Sequence, residues 1–193
     1  MYDLVEPTTR TIRSSILLVL TLLVVELYTG PVTVMYERVE QLKGYDIVDF
    51  RNIRTRKYNR TVAVLNGTFD SFKELGDDYS FKVQMAYSRL GNNQFINSPV
   101  RLPLQKMCKF LNTTYRDYRE YYRYTTNFPD VGACPVEAKQ YYIKDQVLDA
   151  DIFDDFLKSG LWKLSLHLYE SIDLKIPVTT VDLLFQVSRE GLF

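Results

Sequence analysis

Apolar and polar residues alternate along several stretches of this chain, and in one place the alternation gives way to a longer period. Phe81, Val83, Met85 and Tyr87 interleave with Lys82, Gln84, Ala86 and Ser88, the pattern of a strand with one buried and one wet face. Trp162, Leu164, Leu166 and Leu168 alternate likewise with Lys163, Ser165, His167 and Tyr169, and Val181, Leu183, Phe185 and Val187 mark one side of a strand over 178–187. Less regular strands are expected over 32–39, 45–54, 61–69, 94–100 and 141–148. Gly76-Asp77-Asp78, Gly91-Asn92-Asn93 and Lys158-Ser159-Gly160 supply turns. Between these runs, Leu104, Met107, Cys108, Leu111, Tyr115, Tyr118 and Tyr122 recur at spacings of three and four, which predicts an amphipathic helix over 104–124. Pro129 and the residues around it end that pattern. Strands, one helix and strands again, with short connections, predict a mainly β protein: an antiparallel β-sandwich or β-cup with one amphipathic α-helix at its edge.

The start of the chain has a different character. An unbroken apolar run at 16–25 follows Arg10 and Arg13, as in a secretory signal, and is short for a bilayer span. Glu26, Tyr28 and Pro31 make a poor cleavage site around Thr29 and Gly30, so an uncleaved anchor is the alternative. Residues 1–30 are therefore read as signal peptide or anchor, residues 31–193 as a single domain, and the protein as secreted or extracellular. In that setting the only two cysteines, Cys108 and Cys134, are expected to form a disulfide. Asn59, Asn66 and Asn112 each head an N-glycosylation triplet, in keeping with export.

Composition narrows the function by elimination. The 24 basic and 24 acidic side chains cancel, so no net field favours nucleic acid or an anionic membrane. The basic and aromatic interleaving of Tyr115, Arg116, Tyr118, Arg119, Tyr122 and Arg123 is better read as tyrosines covering an apolar interior, hydroxyls outward, while arginines reach to water. His167, the one histidine, falls on the wet face of its strand with Ser165, and nothing in the sequence assembles a Ser-His-Asp arrangement around it. One histidine and an oxidised cysteine pair do not make a zinc site, and no phosphate- or dinucleotide-binding glycine run is present. The acidic run Asp145, Asp149, Asp151, Asp154 and Asp155 lacks the ligand spacing and central glycine of a calcium loop and is read as a solvated connection. Neither an enzyme, a cofactor nor a metal is expected.

Several short segments, in order, carry a resemblance: Cys108-Lys109-Phe110-Leu111, Cys134-Pro135, Tyr141-Tyr142-Ile143-Lys144-Asp145 and Gly160-Leu161-Trp162, with Asn59-Arg60-Thr61 and Leu65-Asn66-Gly67-Thr68 upstream. Together they resemble the insect family of secreted proteins catalogued as domain of unknown function 1091, itself similar to the MD-2-related lipid-recognition and ganglioside-activator superfamily. Val136-Glu137-Ala138-Lys139 stands where the family places an aromatic and a glycine, and Ser159 where it often has proline. The resemblance implies an immunoglobulin-like, ganglioside-activator-like cup around an apolar cavity, a lipid or other hydrophobic small molecule as ligand, and a role in insect chemosensation such as pheromone response. It brings no catalytic residues.

The expected lining of that cavity is Phe81, Val83, Met85, Tyr87, Met107, Leu111, Leu164, Leu166, Leu183 and Phe185. The expectation is a secreted binding protein for a hydrophobic ligand, with a membrane receptor as candidate macromolecular partner and no nucleic acid. The alternative is a secreted interaction module, a receptor accessory or immune recognition factor, whose same residues fill a solid core.

Overall fold

The computed structural model describes residues 32–189, without the side chains of residues 154–156; the signal-like segment lies outside the described residues. In chain order the strands are β1 (Val32–Lys43), β2 (Val48–Asp49), β3 (Arg54–Lys57), β4 (Ala63–Ser71), β5 (Tyr79–Ser88) and β6 (Ile96–Lys106). Helices α1 (Met107–Asn112) and α2 (Thr114–Tyr122) follow, then β7 (Gln140–Val147), a 3-10 helix (Ala150–Phe156), β8 (Gly160–Glu170) and β9 (Thr179–Arg189). Val34–Ser188 form one compact unit; of a second, only Val32, Thr33 and Arg189 are described.

The two most regular stretches of sequence become neighbours. β8 pairs antiparallel with β5 on one side and β9 on the other, in a five-stranded sheet ordered β1-β9-β8-β5-β6. Register aligns apolar residues into rows across three strands: Met85–Leu164–Leu183 and Val83–Leu166–Val181. Such rows put one face of the sheet wholly against the interior. Edge strand β6 carries Pro99 and Pro103, which cannot donate to a ladder, and its pairing with β5 shifts register twice.

The second sheet is built on β4. Val64 pairs with Arg56 of β3 and Val147 of β7, and Asp70 with Asp49 of β2 and Gln140 of β7. β2 and β3 therefore follow one another along one edge of β4, and β7 occupies the other. A bulge between Leu65 and Gly67 interrupts the β4–β7 ladder. Gly67 holds φ +131°, and a Cβ there would come within 2.1 Å of the Asn52 carbonyl oxygen, so only glycine fits this crossing.

Two expectations are corrected. The strand predicted over 45–54 is mostly turns, because Gly44 accepts from the amides of Ile47 and Val48, both at 3.1 Å, and Phe50 from Ile53 at 2.9 Å. The Gln41 side chain then binds the Val48 carbonyl (2.7 Å) and the Phe50 amide (2.8 Å), doing the work of a strand neighbour. The single helix over 104–124 is a strand end and two helices. β6 holds its pairing to Lys106, opposite Ser80, and the helical path breaks at Thr113 (φ −117°, ψ −88°). Thr113 turns its hydroxyl back on the Lys109 carbonyl (2.8 Å), a bond that competes with helix continuation at this β-branched residue.

Cys108 on α1 is bonded to Cys134, with Cα atoms 5.5 Å apart. Beyond it, Val136 exchanges two backbone hydrogen bonds with Leu75, so the disulfide ties the helical segment to the connection between the sheets. The closed loop spans 26 residues of sequence. Replacing both cysteines by serine is expected to lower the unfolding free energy by about 3–4 kcal/mol on the chain-entropy account. Urea unfolding checks this as a lower midpoint; an unchanged midpoint would refute it.

Candidate functional site

Between the sheets lies a cavity of about 630 Å3, within the roughly 300–1,000 Å3 typical of small-molecule sites. The five-stranded sheet contributes Phe81, Val83, Met85, Leu164, Leu166, Leu168, Val181, Leu183 and Phe185. The opposite sheet contributes Leu65, Phe69, Tyr141 and Ile143, and the helices Met107, Phe110, Tyr115, Tyr118 and Tyr122. Alternation explains the choice on each strand: residues two apart share a face.

Eight of the ten residues expected from sequence line this space: Phe81, Val83, Met85, Met107, Leu164, Leu166, Leu183 and Phe185. Tyr87 and Leu111 do not. The Tyr87 ring packs on Trp162 with centroids 4.9 Å apart, and its hydroxyl donates to the Ser159 carbonyl at 2.8 Å. Leu111 is wholly buried (0 % exposed) away from the cavity. The sequence reading omitted the wall formed by β4 and β7, although both strands were expected. It also missed Tyr36, whose alternation with Val34 in β1 was the available signal.

An aromatic run joins the walls. Phe50 stacks on Phe69 at 4.7 Å, Phe69 on Tyr141 at 5.2 Å, and Phe128 meets both Tyr141 (5.5 Å) and Tyr115 (5.3 Å, edge-on). From Tyr115 the run passes to Phe110 (6.1 Å) and Phe81 (4.5 Å), reaching the five-stranded sheet through the helices. Offset and edge-on contacts of this kind each add about 0.5–1.5 kcal/mol beyond area burial.

The helix tyrosines differ from expectation. Tyr115 donates to the Pro129 carbonyl (3.1 Å), and burial pushes its pKa up to about 12. Burial likewise pushes the Tyr122 pKa up to about 12. Arg119 is mostly buried, 13 % exposed, and meets Asp130 at 3.2 Å.

Away from the cavity, Ser165, Thr180 and Asp182 are buried on the other face of the five-stranded sheet. Ser165 Oγ donates to Asp182 at 2.6 Å, whereas His167 Nδ1 faces Thr180 Oγ1 at 3.3 Å. The serine hydroxyl thus addresses the carboxylate and not the imidazole, which a nucleophile–base pair would require. His167, expected in solvent, is half-buried; burial lowers its pKa first, then the charges of Lys82, Lys43 and Lys163, against Asp182. Within the acidic run, Asp145 binds Arg56 and Asn66, and Asp149 caps the 3-10 helix through the Asp151 amide (3.0 Å). Among the described residues no cluster of three His, Cys, Asp or Glu could hold a metal. Of the sequon asparagines, Asn59 and Asn112 are exposed and Asn66 is half-buried, its amide donating to Asp145 at 2.9 Å.

Residues 81–164, which run from β5 into β8, match the model of a family described as a protein of unknown function (DUF1091). No curated protein matches the chain.

Cavity-lining and packed leucines should respond differently to truncation. Leu111→Ala and Leu184→Ala open voids in close-packed surroundings and are expected toward the top of the roughly 2–5 kcal/mol range, Leu166→Ala and Leu183→Ala toward the bottom. Urea unfolding without ligand decides it; equal losses in both pairs would mean that the walls are packed as tightly as the core.

His167 makes stability pH-dependent. Its folded pKa lies below the ordinary 6.5, so the unfolded chain binds more protons between the two values and stability falls as pH drops through that window. Melting at about pH 7.5 and about pH 5.5 should show a larger acid loss for wild type than for His167→Gln. Equal losses would remove His167 as the cause.

Proposed function

We propose that this protein is a carrier for a lipid or other hydrophobic small molecule, held between its two sheets. The observation that carries the reading is the 630 Å3 space itself, walled by aligned apolar rows that face it without filling it. The match over residues 81–164 covers β5, β6, both helices and β7, and thus much of that wall. The resemblance of the chain's motifs to insect secreted proteins and to the MD-2-related superfamily supports the same reading. It extends it to an extracellular, glycosylated carrier serving chemosensation, whose partners are the ligand and a membrane receptor. No bond-making chemistry is assigned to it.

Native mass spectrometry of protein secreted from insect cells, with solvent extraction and lipid analysis, tests this directly. A stoichiometric hydrophobic ligand is expected, together with saturable binding of an apolar fluorescent probe after delipidation. Ligand-free protein that binds no probe would eliminate the carrier in favour of an interaction module.

A further inference from the structure

Of the residues that line the cavity, three are exposed: Val100 and Arg101 on edge strand β6, and Tyr118 on α2. The cavity therefore meets solvent beside these two elements. Among the described residues one hydrogen bond joins them, from Gln105 Nε2 to Thr114 Oγ1 at 3.0 Å, close to where the chain passes from β6 to the helices. Arg101 is the one charged residue of the lining, and its guanidinium has no ion pair or hydrogen bond among the described residues. The buried polar residues of the lining carry no charge, and Ser71, Gln146, Tyr115 and Tyr141 spend their donors on backbone carbonyls. Around the mouth the charges do not balance. Residues 96–124, which hold β6 and both helices, carry Arg101, Lys106, Lys109, Arg116, Arg119 and Arg123 against Asp117 and Glu120, in a chain that is neutral overall. Both carboxylates are already engaged, Asp117 with Arg116 at 3.5 Å and Glu120 with Arg123 at 2.9 Å. Arg119 meets Asp130 at 3.2 Å, and its Nε and Nη1 are buried without a partner.

We propose that the mouth beside β6 and α2 is an anion site, and that the ligand is an aliphatic chain ending in a carboxylate, held chain inward with its head on Arg101. The proposal rests on the carrier reading and specifies the class and orientation of its ligand. A guanidinium presents paired N–H donors in a plane, which match the two oxygens of a carboxylate. The reverse orientation would bury an ionised head among the apolar rows of β5, β8 and β9, a desolvation that nothing in those rows repays. At the mouth the head keeps part of its water, so the gain over an uncharged head is modest. The local excess of cations adds to that gain by raising the potential around Arg101.

The test is displacement of a bound apolar fluorescent probe by myristate, methyl myristate and n-pentadecane at about pH 8, where the free acid is ionised. Myristate is expected to bind about three- to tenfold more tightly than its ester at low salt. That advantage should shrink in about 1 M NaCl, where charges are screened beyond about 3 Å. In Arg101→Gln it should fall to about one while ester binding is unchanged, which also reports that the variant is folded. Equal binding of acid and ester to the wild type would overturn the proposal. So would a preference that survives in Arg101→Gln; its loss in Arg119→Gln would then place the head on α2. Displacement by none of the three would instead bring down the carrier reading itself.

Discussion

The structure depends on keeping two sheets apart without filling the space between them. Side chains that interdigitate across facing sheets normally close such a gap. Here the bridge is made at the periphery, by the aromatic run from Phe50 and Phe69 through Tyr141, Phe128, Tyr115 and Phe110 to Phe81. Flat, stiff rings suit this role because they span distance with few rotamers to lose. The Cys108–Cys134 bond fixes the helical part of the bridge, and the Leu75–Val136 backbone pair fixes the connection beyond it.

A wall that faces open space forgoes contacts that a packed core would make. An apolar chain of the kind proposed would restore the missing dispersion contacts along the rows Met85–Leu164–Leu183 and Val83–Leu166–Val181.

What the sequence made legible follows from how far each signal reaches. Strict alternation in β5, β8 and β9 revealed the larger sheet and most of its inner face, because a period of two is a local property. The smaller sheet was visible as segments but not as a wall, since only pairing tells which strands face the cavity. The 45–54 segment misled because Val48, Phe50 and Ile53 look like strand residues, while the bonds that bend them come from Gly44 and from Gln41, outside the segment. The 104–124 stretch misled for a related reason: Leu104 has helical spacing but stays paired in β6, and the Thr113-Thr114 step splits the rest.

The tyrosines show where pattern reading ends and chemistry begins. From spacing alone, Tyr115, Tyr118 and Tyr122 form one stripe with one role. The structure divides them by burial and bonding: Tyr115 is buried and donates to the Pro129 carbonyl, whereas Tyr118 is exposed. Tyr36, far away in sequence, lines the same cavity only through the fold. A phenol is an economical residue for such a position, because its ring completes an apolar wall while its hydroxyl offers a single directed donor. Converting one tyrosine to phenylalanine leaves the wall intact and removes only the donor.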